Sequence, residues 1–275
     1  MTFTIAIPTQ GYSGWRFLER TYDSQLEMYS NSAQTKRETE YFLANIQNIK
    51  DAKSLVSDRI LLKIALGAFG LGDELNKSAF IEKVLAEGTT RSDSLANKLV
   101  DTRYRELSRA FGFGGDGQSN LGRAGFGQKI VADYKKQQLE IIVGNSDNNL
   151  RLAMTFKRQI GKLAGSEIAS GTAWFQLMGN PAMRRFFEIA TNLPSNIGKL
   201  DVDRQRGIFQ EKSRQMLGSA SLTMFRDPKN VEKITRMFFA GVQVQSLDTM
   251  SNGGNTALRL LSNIPRSFLI KSNFA

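Results

Sequence analysis

The sequence predicts an all-α, multi-helical protein with two similar helical halves. Apolar residues recur at helical spacing along most of the chain, whereas strand-like alternation and hairpin turns are scarce. One succession of helices also occurs twice. With 275 residues, 41% hydrophobic content and 9% aromatic content, the chain can bury the core of one or two domains.

The repeated succession covers residues 59–113 and 183–239. Each stretch contains an apolar helix, a break at Gly or Pro, a second helix, a short helix and a last helix. The second helices are expected to end at Gly88 and Gly218, because glycine adopts a left-handed backbone at little cost. The two stretches share little sequence identity, so internal duplication and chance similarity between amphipathic segments are both open.

The other elements follow the same helical spacing. Helices are predicted over 15–29 and 36–49 before the first stretch, over 130–142 and 147–163 between the stretches, and over 256–261 after the second. The aromatic side of the first of these helices is expected to pack on neighbouring helices rather than to form a binding surface.

Several residues are expected to begin or end these elements. Asp101 and Asp227 are predicted N-caps, because a short carboxylate accepts hydrogen bonds from the free N–H groups of the first turn. Gly144 is expected to end the helix before it, and residues 139–143 could instead form a short strand. A polar gap is predicted at 251–255.

The glycine-rich segment 112–129 is predicted to be an exposed, mobile loop. It divides the chain into an N-terminal helical half, 1–111, and a C-terminal helical half, 130–275. The halves are expected to pack as one body or as two tightly packed domains. Loops that carry apolar or basic groups are natural docking elements, so the candidate interaction residues here are Gly112, Phe113, Arg123, Phe126 and Lys129.

The C-terminal tail supplies the other candidate interaction residues, Phe268, Leu269 and Ile270. Apolar residues in a tail can form a docking peptide, and packing of the tail back on the body is the alternative.

The chain contains neither histidine nor cysteine. Histidine is the usual general base near neutral pH and the commonest zinc ligand, so histidine triads, 2-His-carboxylate iron sites and ordinary zinc sites are excluded. Disulfides, thiolate metal sites and cysteine nucleophiles are excluded as well. No catalytic residue is assigned, and we do not expect an enzyme.

The chain is basic, with 37 Lys and Arg against 26 Asp and Glu and a formal net charge of +11. Such an excess can serve as a general basic surface, or can meet an acidic protein, anionic lipid or nucleic acid. The charges are spread along the sequence without a run of five or six basic residues. A dedicated nucleic-acid arm is therefore not supported.

Two glycine patterns resemble nucleotide-binding motifs and fail on inspection. Gly112, Gly114 and Gly117 match G-x-G-x-x-G, but they follow a predicted helix instead of the strand that the dinucleotide motif requires. The sequence GRAGFGQK (122–129) resembles a phosphate-binding loop, but Gln128 occupies the position of the essential lysine. No cofactor is expected.

Asp201 and Asp203 form a carboxylate pair near a helix start that could act in acid–base chemistry or bind Mg²⁺. The competing interpretation is a capping aspartate followed by a favourable charge at the positive helix end. An enzyme of unfamiliar type that uses only Asp, Glu and Lys would begin at this pair.

The N-terminal sequence MTFTIAIPTQGYSGW has no basic region and no long apolar core. It does not resemble a secretory signal, and no stretch approaches 18 uncharged apolar residues. We therefore expect a cytoplasmic protein without a transmembrane helix.

Several separated motifs resemble the DUF1217 family of bacteria, mainly alphaproteobacteria. They are IALGAFGLGDE (64–74), FIEKVLAEGT (80–89), SLANKLVDTRYRELSRAFGF (94–113), LRLAMTF (150–156), WFQLMGNPAMRRFFEIATNLP (174–194) and LDVDRQ (200–205). The resemblance covers most of the chain. Members are often encoded near flagellar genes, which implies a flagellum-associated role by association, and the family supplies no catalytic residues to carry over.

The hypothesis that follows is a non-enzymatic helical interaction or assembly protein, associated with the bacterial flagellum through a protein partner. The alternatives are a basic regulator that binds nucleic acid and the enzyme of unfamiliar type.

Overall fold

A computed structural model describes residues 5–114, 119–165 and 170–262, with side chains described to 247 apart from those of residues 170 and 195. Helices account for most of these residues, and no β-strand occurs among them. The all-α prediction is therefore confirmed.

Thirteen α-helices lie in the described part of the chain. In order they are α1 (Gly11–Ser30), α2 (Ala33–Asn45), α3 (Ala52–Ser57), α4 (Arg59–Ala68), α5 (Ser78–Glu87), α6 (Leu95–Lys98), α7 (Thr102–Phe111), α8 (Phe126–Ser146), α9 (Asn148–Gly165), α10 (Ser170–Gly179), α11 (Pro181–Ala190), α12 (Val202–Leu217) and α13 (Pro228–Ser262). Short 3-10 helices occur at Ile46–Asn48, Gly72–Glu74, Asn120–Gly122, Ser195–Lys199 and Leu222–Arg226.

The buried apolar side chains form two cores. The small core is built from helices α2 to α5 and α7, and Phe42, Leu55 and Phe111 are among its fully buried members. The large core is built from α1 and from helices α9 to α13, with Trp174 and Phe187 at its centre.

Helix α8 contributes to both cores. Its first half places Ile130 and Tyr134 in the small core, and its second half places Leu139 and Val143 in the large core. It packs along α4 on one side and along α9 on the other. Helix α8 therefore connects the two cores along its length.

The predicted division of the chain at 112–129 stays a prediction, because the grouping of side chains into cores does not show which parts fold independently. The structure adds two facts. Helix α1 packs in the large core through Trp15 and Leu18, as expected for its aromatic side, and α8 begins at Phe126, inside the predicted loop.

The two similar stretches contain the same succession of elements. Helix α4, a 3-10 helix, α5, the short α6 and α7 occur in the first, and α11, a 3-10 helix, α12, a 3-10 helix and α13 occur in the second. Asp101 and Asp227 cap α7 and α13, since each carboxylate accepts a hydrogen bond from the backbone N–H two residues on, at 3.0 and 2.9 Å. Both cap predictions are confirmed, whereas a duplication stays a prediction.

Two expected interruptions were wrong: Gly144 lies inside α8, and α13 continues through 251–255. Of the two alternatives for residues 139–143, the structure has the helix and not the strand. Because Gly144 has no side chain, Arg151 can cross α8 at this point. An added Cβ would lie 2.5 Å from Cδ of Arg151.

Gly88 and Gly218 both end a helix with a positive φ, of 67° and 88°, but their surroundings differ. Around Gly218 an added Cβ would meet open space, whereas at Gly88 it would lie 2.5 Å from the carbonyl oxygen of Gly114. We expect Gly218→Ala to lower the free energy of unfolding by about 1 kcal/mol. Gly88→Ala is expected to cost about 2–3 kcal/mol, because Gly88 combines its positive φ with a ψ of −156°, a conformation that is essentially confined to glycine, and overpacking adds to this strain.

Urea denaturation of the two variants beside the wild type measures this difference. Equal losses of stability at the two positions would contradict the close approach of Gly88 and Gly114.

Candidate functional site

A polar cleft of about 480 Å³ lies where α8 passes between the two cores. Its floor is one face of α8, carrying Gln137, Glu140, Gly144 and Asn145. These positions are three, four or one residue apart, which places them together on a helical surface.

The walls of the cleft come from opposite cores. On the side of the small core lie the end of α4 with the turn at Gly70 and Asp73, and Arg103 from the first turn of α7. On the side of the large core lie the first turns of α9 and α11, with Arg151 and Arg185. Three arginines from three helices therefore border one cavity.

Arg103 is held by groups of its own wall. Its Nη2 lies 2.7 Å from Oδ2 of Asp101, and its Nε donates to the same carboxylate at 3.0 Å. Its Nη1 donates to the carbonyl oxygen of Gly70. The charge of Arg103 is thus neutralised by Asp101, and its guanidinium fixes the turn after α4.

Arg151 and Arg185 have no carboxylate partner among the described residues. Nε and Nη2 of Arg151 donate to Oδ1 of Asn148 at 3.0 and 2.7 Å. Nη2 of Arg185 donates to Oε1 of Gln245 at 3.3 Å. Both guanidinium groups are therefore positioned by neutral amides, and no adjacent carboxylate among the described residues balances their charge.

Gln137 is the buried polar side chain on the cleft floor. It is 8% exposed, and its amide forms no hydrogen bond with the described residues. Both polar atoms of the amide lie close to Gly70, at 3.4 and 3.5 Å from the position that a Cβ would take there. The amide atoms are not among the fully buried side-chain atoms that lack a hydrogen bond, so they are accessible from the cleft.

Glu140 lies on the floor of the cleft, and its ion-pair partner Arg158 does not line the cleft. Its carboxylate accepts hydrogen bonds from Nε and Nη2 of Arg158 at 2.6 and 3.1 Å, and from Oγ1 of Thr155 at 2.9 Å. The ion pair is almost completely buried. Glu140 therefore adds no unbalanced charge to the cleft.

A second groove, of about 450 Å³, lies on the other side of this ion pair between α1, α8 and α9. Trp15 and Tyr22 line it, and Nζ of Lys157 lies 5.7 Å from the centre of the Trp15 ring. Burial, together with the charge of Glu140, raises the pKa of Tyr22 to about 12. Tyr22 is therefore a neutral hydroxyl at physiological pH.

The predicted interaction residues of the 112–129 segment divide into packed and exposed groups. Gly112 ends α7 in the left-handed conformation. Phe113 and Phe126 are half-buried, with ring centres 5.8 and 5.3 Å from that of Phe111, and they cover the edge of the small core.

Arg123 and Lys129 are exposed on either side of the start of α8. Of the five predicted interaction residues in this segment, these two basic residues are the exposed ones. Phe268, Leu269 and Ile270, the predicted interaction residues of the tail, lie outside the described residues.

Asp201 and Asp203 line neither the cleft nor the second groove. Asp201 caps α12 by accepting a hydrogen bond from the N–H of Arg204 at 2.9 Å, and Asp203 forms an exposed ion pair with Arg206 at 3.2 Å. No group of three or more acidic side chains that could hold a metal ion occurs in the described ranges. In the described part of the chain, no helix combines the length and the apolar character that a membrane span requires.

The fold and the cleft define an all-α protein whose two cores share one helix and enclose a polar cavity. The chain belongs to the DUF1217 family: the family "Protein of unknown function (DUF1217)" matches residues 68–231. A crystal structure of a protein from Agrobacterium tumefaciens is similar, with 28% sequence identity and a TM-score of 0.70 over 89% of this chain and 98% of that one. No curated protein matches the sequence.

Sequence reasoning missed the cleft. Arg103, Gln137 and Arg185 are far apart in the chain, and each has an ordinary place on an amphipathic helix. One local signal was available: Asn180 and Pro181 mark the start of α11, where a cap and a first-turn proline are favoured, and this helix start forms part of the wall.

Proposed function

We propose that this protein is a non-enzymatic helical interaction protein, associated with the bacterial flagellum, that binds a protein partner through α13. The observation that carries the proposal is the exposure of apolar side chains on this helix after it leaves the large core. Phe238 and Phe239 are buried, whereas Val244 and Leu247 are 55% and 58% exposed.

Helix α13 is long enough to reach a partner. It has 35 residues, which correspond to a length of about 50 Å. Val244 and Leu247 are three residues apart and therefore lie on one face of the helix. Helices that present an apolar face of this kind dock into hydrophobic grooves of other proteins.

The class of partner that we propose is inferred from the DUF1217 family. Because DUF1217 proteins are often encoded near flagellar genes, a flagellar component is the partner that we propose. Arg123 and Lys129 add exposed positive charge elsewhere on the surface, which favours a partner with complementary acidic groups.

An affinity pull-down from motile cells tests this function. The tagged wild type is compared with a Val244→Ser, Leu247→Ser double variant and with Val100→Ser, which removes an exposed apolar side chain (86%) at a different place. Retained proteins are identified by mass spectrometry at low and high salt. We expect flagellar proteins to be retained by the wild type and by Val100→Ser, and lost from the double variant.

Two outcomes would contradict the proposal. If the double variant retains the same flagellar proteins as the wild type, α13 is not the binding surface. If only nucleic acid and its binding proteins are retained and wash off with salt, as expected for phosphate contacts, the protein is a basic regulator instead.

A further inference from the structure

We propose that the cleft between the two cores binds a small ligand through its carboxylate or phosphate group, with Arg151 and Arg185 as the principal contacts. The inference does not depend on the function proposed for α13, because Val244 and Leu247 do not line the cleft; the contact between the two surfaces is the hydrogen bond from Arg185 to Gln245.

The charge of the cleft favours an anion. The charge of Arg103 is neutralised by Asp101, and that of Glu140 is neutralised by Arg158. Neither residue therefore changes the net charge of the cleft. The groups without an ion-pair partner among the described residues are Arg151, Arg185 and the exposed Asp73 at the opposite wall, and together they leave a net positive charge. Guanidinium groups bind carboxylates and phosphates well, because their planar N–H donors match two oxygens at once.

The N-terminus of α11 adds to the positive electrostatic potential of the cleft. Asn180, Pro181 and Ala182 line the cleft, so the positive end of the helix dipole borders the cavity. The side chain of Asn180 already accepts hydrogen bonds from the N–H groups of Ala182 and Met183 at 3.1 and 3.2 Å. The helix therefore contributes its dipole, and the arginines supply the free donors.

Gln137 is the independent sign of a ligand. Its side chain is more than nine-tenths buried, borders the cavity and has no hydrogen-bond partner among the described residues. An amide can donate from its nitrogen and accept at its oxygen, so it can pair with a polar group of a bound molecule. A ligand in the cleft can therefore form a hydrogen bond with this amide, which has no protein partner among the described residues and is accessible from the cavity.

The positions of the arginines are set before binding. Arg151 crosses α8 at Gly144, where a Cβ would lie 2.5 Å from its Cδ, and both of its bonded nitrogens are held by Asn148. A guanidinium that is fixed in this way loses less conformational freedom when an anion binds. The cavity of about 480 Å³ falls in the size range of small-molecule sites.

Isothermal titration calorimetry of the full chain at low ionic strength tests the site, with inorganic phosphate and citrate as probes. Saturable binding of at least one probe is expected, and the tighter of the two shows whether the site prefers a phosphate or a carboxylate. We expect Arg185→Gln to weaken the binding about tenfold or more, which corresponds to the loss of one charge-assisted contact. Arg151→Gln is expected to have the same effect.

Arg59→Gln is the matched control. Arg59 is exposed, is bonded to the amide oxygen of Asn76 at 3.4 Å and has no carboxylate partner among the described residues, so its replacement removes the same charge outside the cleft. Binding by this variant should stay within about twofold of the wild type, since general electrostatic effects on an exposed surface are screened. Equal weakening by Arg59→Gln and Arg185→Gln, or the absence of saturable binding of either probe, would overturn the proposal.

Discussion

Replacement of Phe186 by alanine is expected to lower the free energy of unfolding by about 3–5 kcal/mol. Phe186 is fully buried in the large core. Its ring is stacked between Phe156 and Phe238, with ring centres 4.0 and 4.3 Å away and interplanar angles of 13° and 17°. These rings belong to α9, α11 and α13, so the substitution would leave a cavity where three helices meet.

Urea denaturation followed by circular dichroism measures this loss. Phe186→Leu should cost much less, because leucine keeps most of the buried volume. Phe113→Ala serves as the second comparison, since Phe113 is only half-buried at the edge of the small core. A loss for Phe186→Ala no larger than that for Phe113→Ala would show that the stacked rings are not a main source of stability.

The helices and their caps could be predicted because they depend on nearby residues. Asp101 and Asp227 accept hydrogen bonds from N–H groups two residues away, and this geometry depends only on the local backbone. The same holds for the apolar spacing that places Trp15 and Leu18 in the large core.

The errors in the sequence-based prediction arose where distant residues decide the outcome. Gly144 was expected to end a helix, but Arg151 of α9 packs across it, and that contact is not visible in the sequence of α8. Glycine lowers helix propensity by about 1 kcal/mol, a cost that tertiary packing can offset.

The cleft was beyond sequence reasoning for the same reason. Its arginines come from α7, α9 and α11, and they meet only in the folded protein, where α8 packs against both cores. The unpaired state of Gln137 also depends on all of its neighbours in space. No periodicity or motif in a single sequence reports such a property.

Replacement of Arg158 by methionine is the second change expected to have a large effect, about 3–5 kcal/mol in the free energy of unfolding. Arg158 donates two hydrogen bonds to the buried carboxylate of Glu140. Without it, Glu140 would keep only the hydroxyl of Thr155, and an uncompensated charge in the protein interior is costly. Chemical denaturation at neutral pH measures the loss.

The same substitution in an exposed ion pair provides the control. Arg214 lies 2.9 Å from Glu211 on the surface of α12, and Arg214→Met should cost at most about 1 kcal/mol, as surface pairs usually do. The double variant Glu140→Leu, Arg158→Met should recover much of the stability lost in Arg158→Met, because it leaves no buried charge without a partner. If the double variant is as unstable as the single one, the loss comes from packing around α8 and α9, and the buried charge of Glu140 is not its cause.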